Sequence, residues 1–395
     1  VNGNALVAGL AASAFEAGVE LRVNSPVTRL LMDENQSNEG KKVLGAVIKT
    51  SSGEQTIKVR FGVVLACGGF PHDTLRKKEL LPHAPTGHEH WSAASRGNTG
   101  DGLRLGEWAG GHIQQGFQDG AALAPVSLVP QKDGSFVHFP HLLERGKPGL
   151  IAVTKRGLRF TNEANSYYDF MRGLFAATPE GELPEAWLIV DHRFIRRYGL
   201  GAVKPFPMPF WSFLRNGYLK RGRTLAELAK ACGIDANALE ETVAGHNWQA
   251  LQGRDTLFGR GDTPYNRVQG DNTQVKIKSK VEIEVKGKRV NSFVPEFANP
   301  CMAAIEHAPF YAVRVVAGSL GTFAGLETNE HAQVLDENKS PIEGLYAAGN
   351  DMASVMGGHY PSGGITLGPA MTFGYIAAHH MALQAISSMA STRTV

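Results

Sequence analysis

Apolar positions along the chain fall into two rhythms, and their order suggests alternating helix and strand followed by a break. Residues 5–17 carry apolar side chains at helical spacing and stop at Gly18, which predicts an amphipathic helix. Residues 19–23, and a segment starting at Ser25, read as short strands. Residues 43–49 and 54–59 alternate about Ser51, Ser52 and Gly53, the pattern of a hairpin. Residues 63–70 form a continuous apolar run ending in Gly68 and Gly69. Such a strand is buried on both faces of a parallel or mixed sheet, and glycines at its C-terminal end point to a ligand crevice. Taken alone, the run also fits a core strand with a tight turn. Residues 97–102 form a Gly-rich loop entering a helix over 103–108, with Thr99 or Asp101 placed to cap its first-turn amides.

From residue 121 the texture changes. Residues 121–306 hold many prolines and aromatics and no βαβ rhythm, which predicts a separate inserted domain between segments 1–120 and 307–395. Within it, residues 155–163 read as a turn and edge strand, and 164–170 open a helix. Residues 187–191 form a strand. Helices follow over 224–232, with Thr224 and Glu227 as a capping box, and over 236–251. Residues 274–290 alternate Val and Ile with Lys and Glu, as a half-solvated hairpin does. Beyond the insertion, residues 310–316 are a strand, 318–326 a Gly-rich turn, 327–336 a short hairpin and 370–386 a buried helix.

The most organised stretch is 344–375. An apolar strand runs into a Gly-rich loop through Gly349 and Asn350, then past Tyr360, Ser362, Gly363 and Gly364 to a helix starting near Thr366, Leu367 and Pro369. Bare backbone and a helix N-terminus together suit a large flat ligand with acceptor atoms. A tyrosine held in such a loop more often packs than reacts.

Composition narrows the classes. The 395 residues include 46 glycines, and the net charge of +3 comes without a basic stripe, which gives no case for nucleic acid. The three cysteines lack metal spacing and suggest a reducing, cytoplasmic setting. No apolar run approaches the roughly 20 residues of a membrane helix. Residues 1–4 carry no basic signal-peptide region.

The ordered set formed by residues 64–69, 99–102, 159–163, Gly321 with Thr322, 344–350 and 363–375 resembles the fumarate reductase/succinate dehydrogenase flavoprotein superfamily. Within it the chain is most similar to FAD-dependent 3-ketosteroid dehydrogenases, especially those acting at the 4,5-bond of 5α-reduced steroids. The resemblance implies an α/β fold: a Rossmann-like FAD-binding domain with an α+β cap as the substrate domain. The strand–GxGxxG–helix unit that such proteins use to cradle the FAD pyrophosphate does not occur in this sequence, so the expected domain is N-terminally truncated. Fumarate reductases carry a His before the threonine matching Thr322 and an Arg in the loop matching residues 360–364. Gly321 and Tyr360 stand there instead, which speaks against a dicarboxylate substrate.

What the resemblance implies about chemistry is α,β-desaturation of a steroid-like ketone, with hydride passing to flavin N5 and then to an unknown electron acceptor. Tyr360 and the Gly364 N–H would polarise the carbonyl, Ser362 would orient Tyr360, and Tyr167 or Tyr168 would be the base. Val27, Ala66, Gly68 and Gly69 would lie along the adenosine and pyrophosphate of FAD. Thr99, Gly100 and Asp101 would lie near the isoalloxazine, Gly349 and Asn350 near the ribityl chain, and Gly363, Thr366 and Leu367 near flavin O2. The alternatives are a related flavoprotein acting on another enone or organic acid, and a catalytically silent truncated flavoprotein.

Overall fold

The structure is a computed structural model describing residues 2–33, 41–274, 277–285, 288–295 and 299–392. Its organising element on the glycine-rich side is a mixed three-stranded sheet. Strand Pro341–Ala347 lies between Gln333–Leu335 (antiparallel) and Val63–Leu65 (parallel), with Leu345, Tyr346 and Ala347 opposite Val63, Val64 and Leu65. Because Val63–Leu65 and Pro341–Ala347 run parallel, both present their C-terminal ends, and so both their glycine loops, at one edge. The apolar run at 63–70 is thus a three-residue strand, and Val64 is 37% exposed. It is not buried on both faces as its composition suggests. The antiparallel meander Val27–Met32, Val43–Thr50 and Gly53–Lys58 packs beside this sheet and confirms the hairpin. Residues 19–23 form no strand.

The second body is a six-stranded antiparallel sheet. Strand Phe310–Val316 is its hub, pairing with Glu185–Val190, Leu219–Gly222 and Val126–Pro130, while Leu150–Val153 and Phe136–Pro140 complete the flanks. The sheet therefore draws its hub from beyond residue 306. Alternation along these strands sends one set of side chains to each face. Val313 and Val315, with Leu188 and Val190, join the core that contains Tyr168 and Tyr360. Trp187, Ile189 and Ala312 join Leu228 and Leu239 of the helices Leu225–Cys232 and Ala236–Gln252 on the other face. Thr224 caps the first of these from its side chain, while Glu227 reaches back to the Arg223 N–H at 2.8 Å.

Residues 318–326 are strands, Gly318–Thr322 and Gly325–Leu326, and not the expected turn. A Cβ at Gly318 would stand 2.6 Å from a Val126 methyl, so the missing side chain permits close strand packing there. The C-terminal helix Leu367–Thr392 buries Ala377 against Tyr346 but leaves Leu367, Met371, Tyr375, Leu383 and Ile386 exposed, so it is covered on one side only. The hairpin strands Ile277–Val285 and Lys288–Pro295 pair antiparallel as their alternation implies; their side chains lie outside the described residues.

Candidate active site

Two glycine loops are fastened together by one carboxylate that sequence reasoning passed over. Asp351, fully buried, accepts from the Gly69 N–H at 2.9 Å and from the Cys67 N–H. Burial raises its pKa, and the amide donors work against that. Gly69 (φ +74°) faces Thr322 and Asn350; a Cβ there would lie 2.8 Å from the Asn350 carbonyl oxygen. Thr322 Oγ1 donates to that same carbonyl at 3.2 Å, and the Gly100 N–H donates to the Gly69 carbonyl at 3.0 Å. The structure thus brings Gly68, Gly69, Gly100, Gly349 and Asn350 into one cluster, with Asp351 and Thr322 as its fasteners. A buried carboxylate beside a glycine pair is legible only once the two loops are known to meet.

Other expected residues sit differently. Asp101 does not cap its helix. Gly100, in the left-handed region, occupies the cap position, and Asp101 pairs with Arg104, whose Nη1 also binds Asp73 at 2.9 Å and the Thr99 carbonyl at 2.7 Å. Thr99 Oγ1 lies 3.4 Å from the Asp101 carboxylate. Ala66 is exposed, and Val27, 41% exposed, pairs with Ile48 in the outer meander.

The loop after Tyr360 leads to an open cleft of about 410 Å³ lined by Val355, Pro361, Ser362, Gly363, Gly364 and Phe373. Cβ atoms at Gly363, Gly364 and Gly368 would meet nothing within 4 Å, so the wall is bare backbone. Thr366 and Leu367, at the start of the 26-residue helix, have N–H groups without a protein acceptor among the described residues. Bare backbone, apolar floor and free first-turn donors fit a flat ring bearing carbonyl oxygens. Ser362 is exposed and makes no hydrogen bond to Tyr360.

The partner of Tyr360 is Tyr167. Their hydroxyls lie 2.7 Å apart with Tyr167 donating, and the rings meet edge to face at 5.0 Å. Ser166 caps the helix Tyr167–Ala177, which fixes Tyr167 at its first position. The neighbouring Tyr168 points elsewhere, donating to Asp119 at 2.6 Å, and Asp119 also pairs with Arg172 at 3.3 Å. Burial raises Tyr167, and its bond to Tyr360 works against that; burial raises Tyr360, and the same bond raises it further. Burial thus disfavours the phenolate of either residue, and the bond between them lets one hydroxyl support the other. Behind it, Arg145 donates to the Glu163 carbonyl at 3.0 Å and to the Asn165 carbonyl at 3.4 Å, holding the segment that leads into the helix. Glu163 is structural, enclosed by Arg159 and Arg260.

A family model described as an FAD binding domain matches residues 1–367. The chain belongs to the FAD-binding domain family. Among curated relatives it is 38% identical over 383 residues to a 4-oxocyclohex-2-ene-1-carboxylate 5-dehydrogenase of Sinomonas cyclohexanicum, covering 96% of this chain. It is 34% identical over 388 residues, 97% of this chain, to a 3-oxosteroid 1-dehydrogenase of Mycobacterium tuberculosis. The chain spans 60% and 63% of those relatives' lengths. Its fold superposes with a TM-score of 0.83 on a 3-ketosteroid delta1-dehydrogenase from Sterolibacterium denitrificans in complex with 1,4-androstadiene-3,17-dione, at 37% identity, covering 97% of this chain and 63% of that one. Likeness to a delta4-(5alpha)-dehydrogenase from Rhodococcus jostii is weaker, with a TM-score of 0.57 at 23% identity, and shows the fold alone. No described helix is long and apolar enough to cross a membrane.

Proposed function

We propose that this FAD-binding chain carries the catalytic half of a dehydrogenase that desaturates cyclic ketones at the α,β bond. The observation that carries the reading is the Tyr167–Tyr360 pair, hydroxyls 2.7 Å apart with Tyr167 donating, beside a bare-backbone cleft. FAD, when bound, supplies the hydride acceptor. Tyr167, set at the first position of its helix against Tyr360, takes the proton α to the carbonyl. Tyr360 keeps its proton and, with the Gly364 N–H, donates to the carbonyl oxygen as enolate charge develops, which is where fixed donors gain most. Tyr168, committed to Asp119, braces the helix. Gly363, Thr366 and Leu367 would hold the ring end of FAD. The cluster Gly68, Gly69, Gly100, Gly349 and Asn350 would give the rest of the cofactor close backbone approach.

The division into FAD-binding parts (1–120 and 307–395) and a cap (121–306) belongs to the same proposal, with strand Phe310–Val316 contributed to the cap sheet. So does a Rossmann-like form for the FAD domain. The substrate class is a ring ketone, steroid or monocyclic. The second is favoured by the 38% identity to an enzyme named for an oxocyclohexene carboxylate. The test is direct. The purified chain is titrated with FAD, followed by quenching of flavin fluorescence. Dye-coupled oxidation of 4-androstene-3,17-dione, 4-oxocyclohexanecarboxylate and succinate is then measured. Saturable FAD binding with turnover of either ketone supports the reading; failure to bind FAD, or turnover of succinate alone, overturns it.

A further inference from the structure

The chain's net charge of +3 conceals one uneven stretch. Between Asp191 and Glu227 the sequence has six arginines, two lysines and no acidic residue, so the rest of the chain is net negative. Arg196, Arg197, Lys204, Arg215, Arg221 and Arg223 are all exposed. Asp271, outside the stretch, pairs with Arg197 at 3.2 Å. Segment 204–217, between the helix His192–Tyr198 and the strand Leu219–Gly222, carries apolar side chains in two settings. Phe210, Phe213 and Leu214 pack on the core that contains Tyr360. Phe206, Met208 and Trp211 stand out in solvent, 61%, 54% and 61% exposed. Scattered exposed apolar residues are ordinary, but three large ones on one short segment call for an explanation.

Contacts tie the cations to this apolar tip. The Arg196 guanidinium lies over the Phe206 ring, 3.8 Å from its centroid. Phe210 stacks on Trp211 and meets Tyr311 edge to face at 5.7 Å. Arg221 stands opposite Tyr311 in the sheet, so its side chain emerges on the same face. The backbone of the tip is closed. Pro205, Pro207 and Pro209 have no N–H, the Phe206 N–H donates to the Arg196 carbonyl at 2.9 Å, and the Met208 N–H donates to the Pro205 carbonyl at 3.1 Å. Residues 205–209 therefore hold no unpaired backbone donor. A nucleic acid or a protein strand could use such donors, whereas the apolar edge of a bilayer penalises each one left open. An aromatic and methionine tip flanked by cations is the composition that seats at the boundary of headgroups and acyl chains.

We propose that segment 204–217 attaches the protein peripherally to a bilayer bearing anionic lipid headgroups. Phe206, Met208 and Trp211 enter the boundary layer, while Lys204, Arg215, Arg221 and Arg223 stay at the level of the headgroup phosphates. Attachment through such side chains needs no membrane-crossing helix, and no described helix is one. It requires neither FAD nor turnover.

The experiment measures cosedimentation of the whole chain with vesicles of phosphatidylcholine containing about one-third phosphatidylglycerol, and with vesicles of phosphatidylcholine alone. Saturable attachment to the anionic vesicles is expected, at least about tenfold weaker on the neutral ones, and falling as NaCl rises from about 0.05 to about 0.5 M. Met208→Ser with Trp211→Ser removes two apolar anchors, and Lys204→Glu with Arg215→Glu reverses two charges; each pair is expected to weaken attachment at least about tenfold. Trp248→Ser with Leu251→Ser, exposed apolar residues of the helix Ala236–Gln252, is expected to leave it unchanged. All of these side chains are exposed, and unchanged far-UV circular dichroism establishes that each variant folds. No attachment to anionic vesicles, equal attachment to neutral ones, or an affinity untouched by either pair within the segment would each overturn the proposal. So would an equal loss in the Trp248 and Leu251 pair, or tighter capture by a single-stranded oligonucleotide than by the vesicles, which would assign the stretch to nucleic acid.

Discussion

Replacing Glu163 by Gln tests how the chain holds its candidate base in place. The Glu163 carboxylate is fully buried and accepts from Arg159 at 2.8 and 2.7 Å, from Arg260 at 3.1 Å and from the Ala152 N–H at 3.1 Å. Burial alone would raise its pKa; the two guanidiniums overcome this and bring it from 4.5 down to about 2. That difference, at about 1.4 kcal/mol per unit, corresponds to roughly 3 kcal/mol of stability. Breaking a buried ion pair from one side costs about 3–5 kcal/mol by an independent route, since Arg260 would be left without its carboxylate in a fully buried site. The two figures agree. A depressed carboxyl contributes stability that is present above the unfolded-state pKa and lost as pH falls from about 4.5 towards 2. Urea unfolding of wild type and Glu163→Gln, followed by circular dichroism at pH 7 and at stepped acidic pH, measures both. The expected result is a loss of about 3 kcal/mol at pH 7, with the gap between the proteins narrowing as the wild type is acidified. A loss below about 1 kcal/mol, or a gap that stays constant through the acid range, would refute the assignment of the network's strength to this carboxylate.

Three further outcomes follow from the site. Tyr360→Phe and Tyr167→Phe should each lower turnover of a ring ketone by about 10²-fold or more, whereas Tyr168→Phe should cost mainly its bond to Asp119, about 1 kcal/mol of stability; dye-coupled rates and melting curves separate these. The dehydrogenation rate should rise with pH through the alkaline range, because burial keeps Tyr167 protonated beyond the usual tyrosine pKa of about 10. A flat profile from pH 7 to 10 would remove Tyr167 as the base. Gly69→Ala forces a side chain at φ +74° against Thr322 and Asn350 and should destabilise by about 1–3 kcal/mol. Thr322→Ala should recover part of that in the double variant.

Much of the architecture was legible where local pattern and fold agree. The strand Phe310–Val316 and the helix Ala236–Gln252 follow their apolar periodicity almost to the residue. The loop from Tyr360 to Gly364 announced itself through glycine and a lone aromatic. Legibility failed where a contact spans the chain. Asp351 meets Cys67 across 284 residues, and nothing near either of them encodes the meeting. Tyr167 and Tyr168 are adjacent in sequence, so only the helix's setting, fixed by Ser166, decides which one reaches Tyr360. Residues 318–326 read as a turn because glycine usually ends strands. Here the same glycines admit Val126 and the Asp351–Met352 backbone at van der Waals range. Exposure misled as well: Val64 and the C-terminal helix are apolar enough for a core but stand partly uncovered among the described residues.

The hub strand Phe310–Val316 sets the order in which this molecule can assemble. Its partners Val126–Pro130 and Glu185–Val190 precede it by roughly 180 and 120 residues, and neither of them pairs with the other. During synthesis each therefore emerges with an open hydrogen-bonding edge and waits for a segment not yet made, a situation that slows folding and invites wrong pairings. The six-stranded sheet is thus closed by its last-made strand, and the same strand leads directly into Gly318–Thr322, which carries Thr322 to the glycine cluster. Completion of this sheet and alignment of the candidate site become one event, so a chain stalled before residue 310 would possess neither.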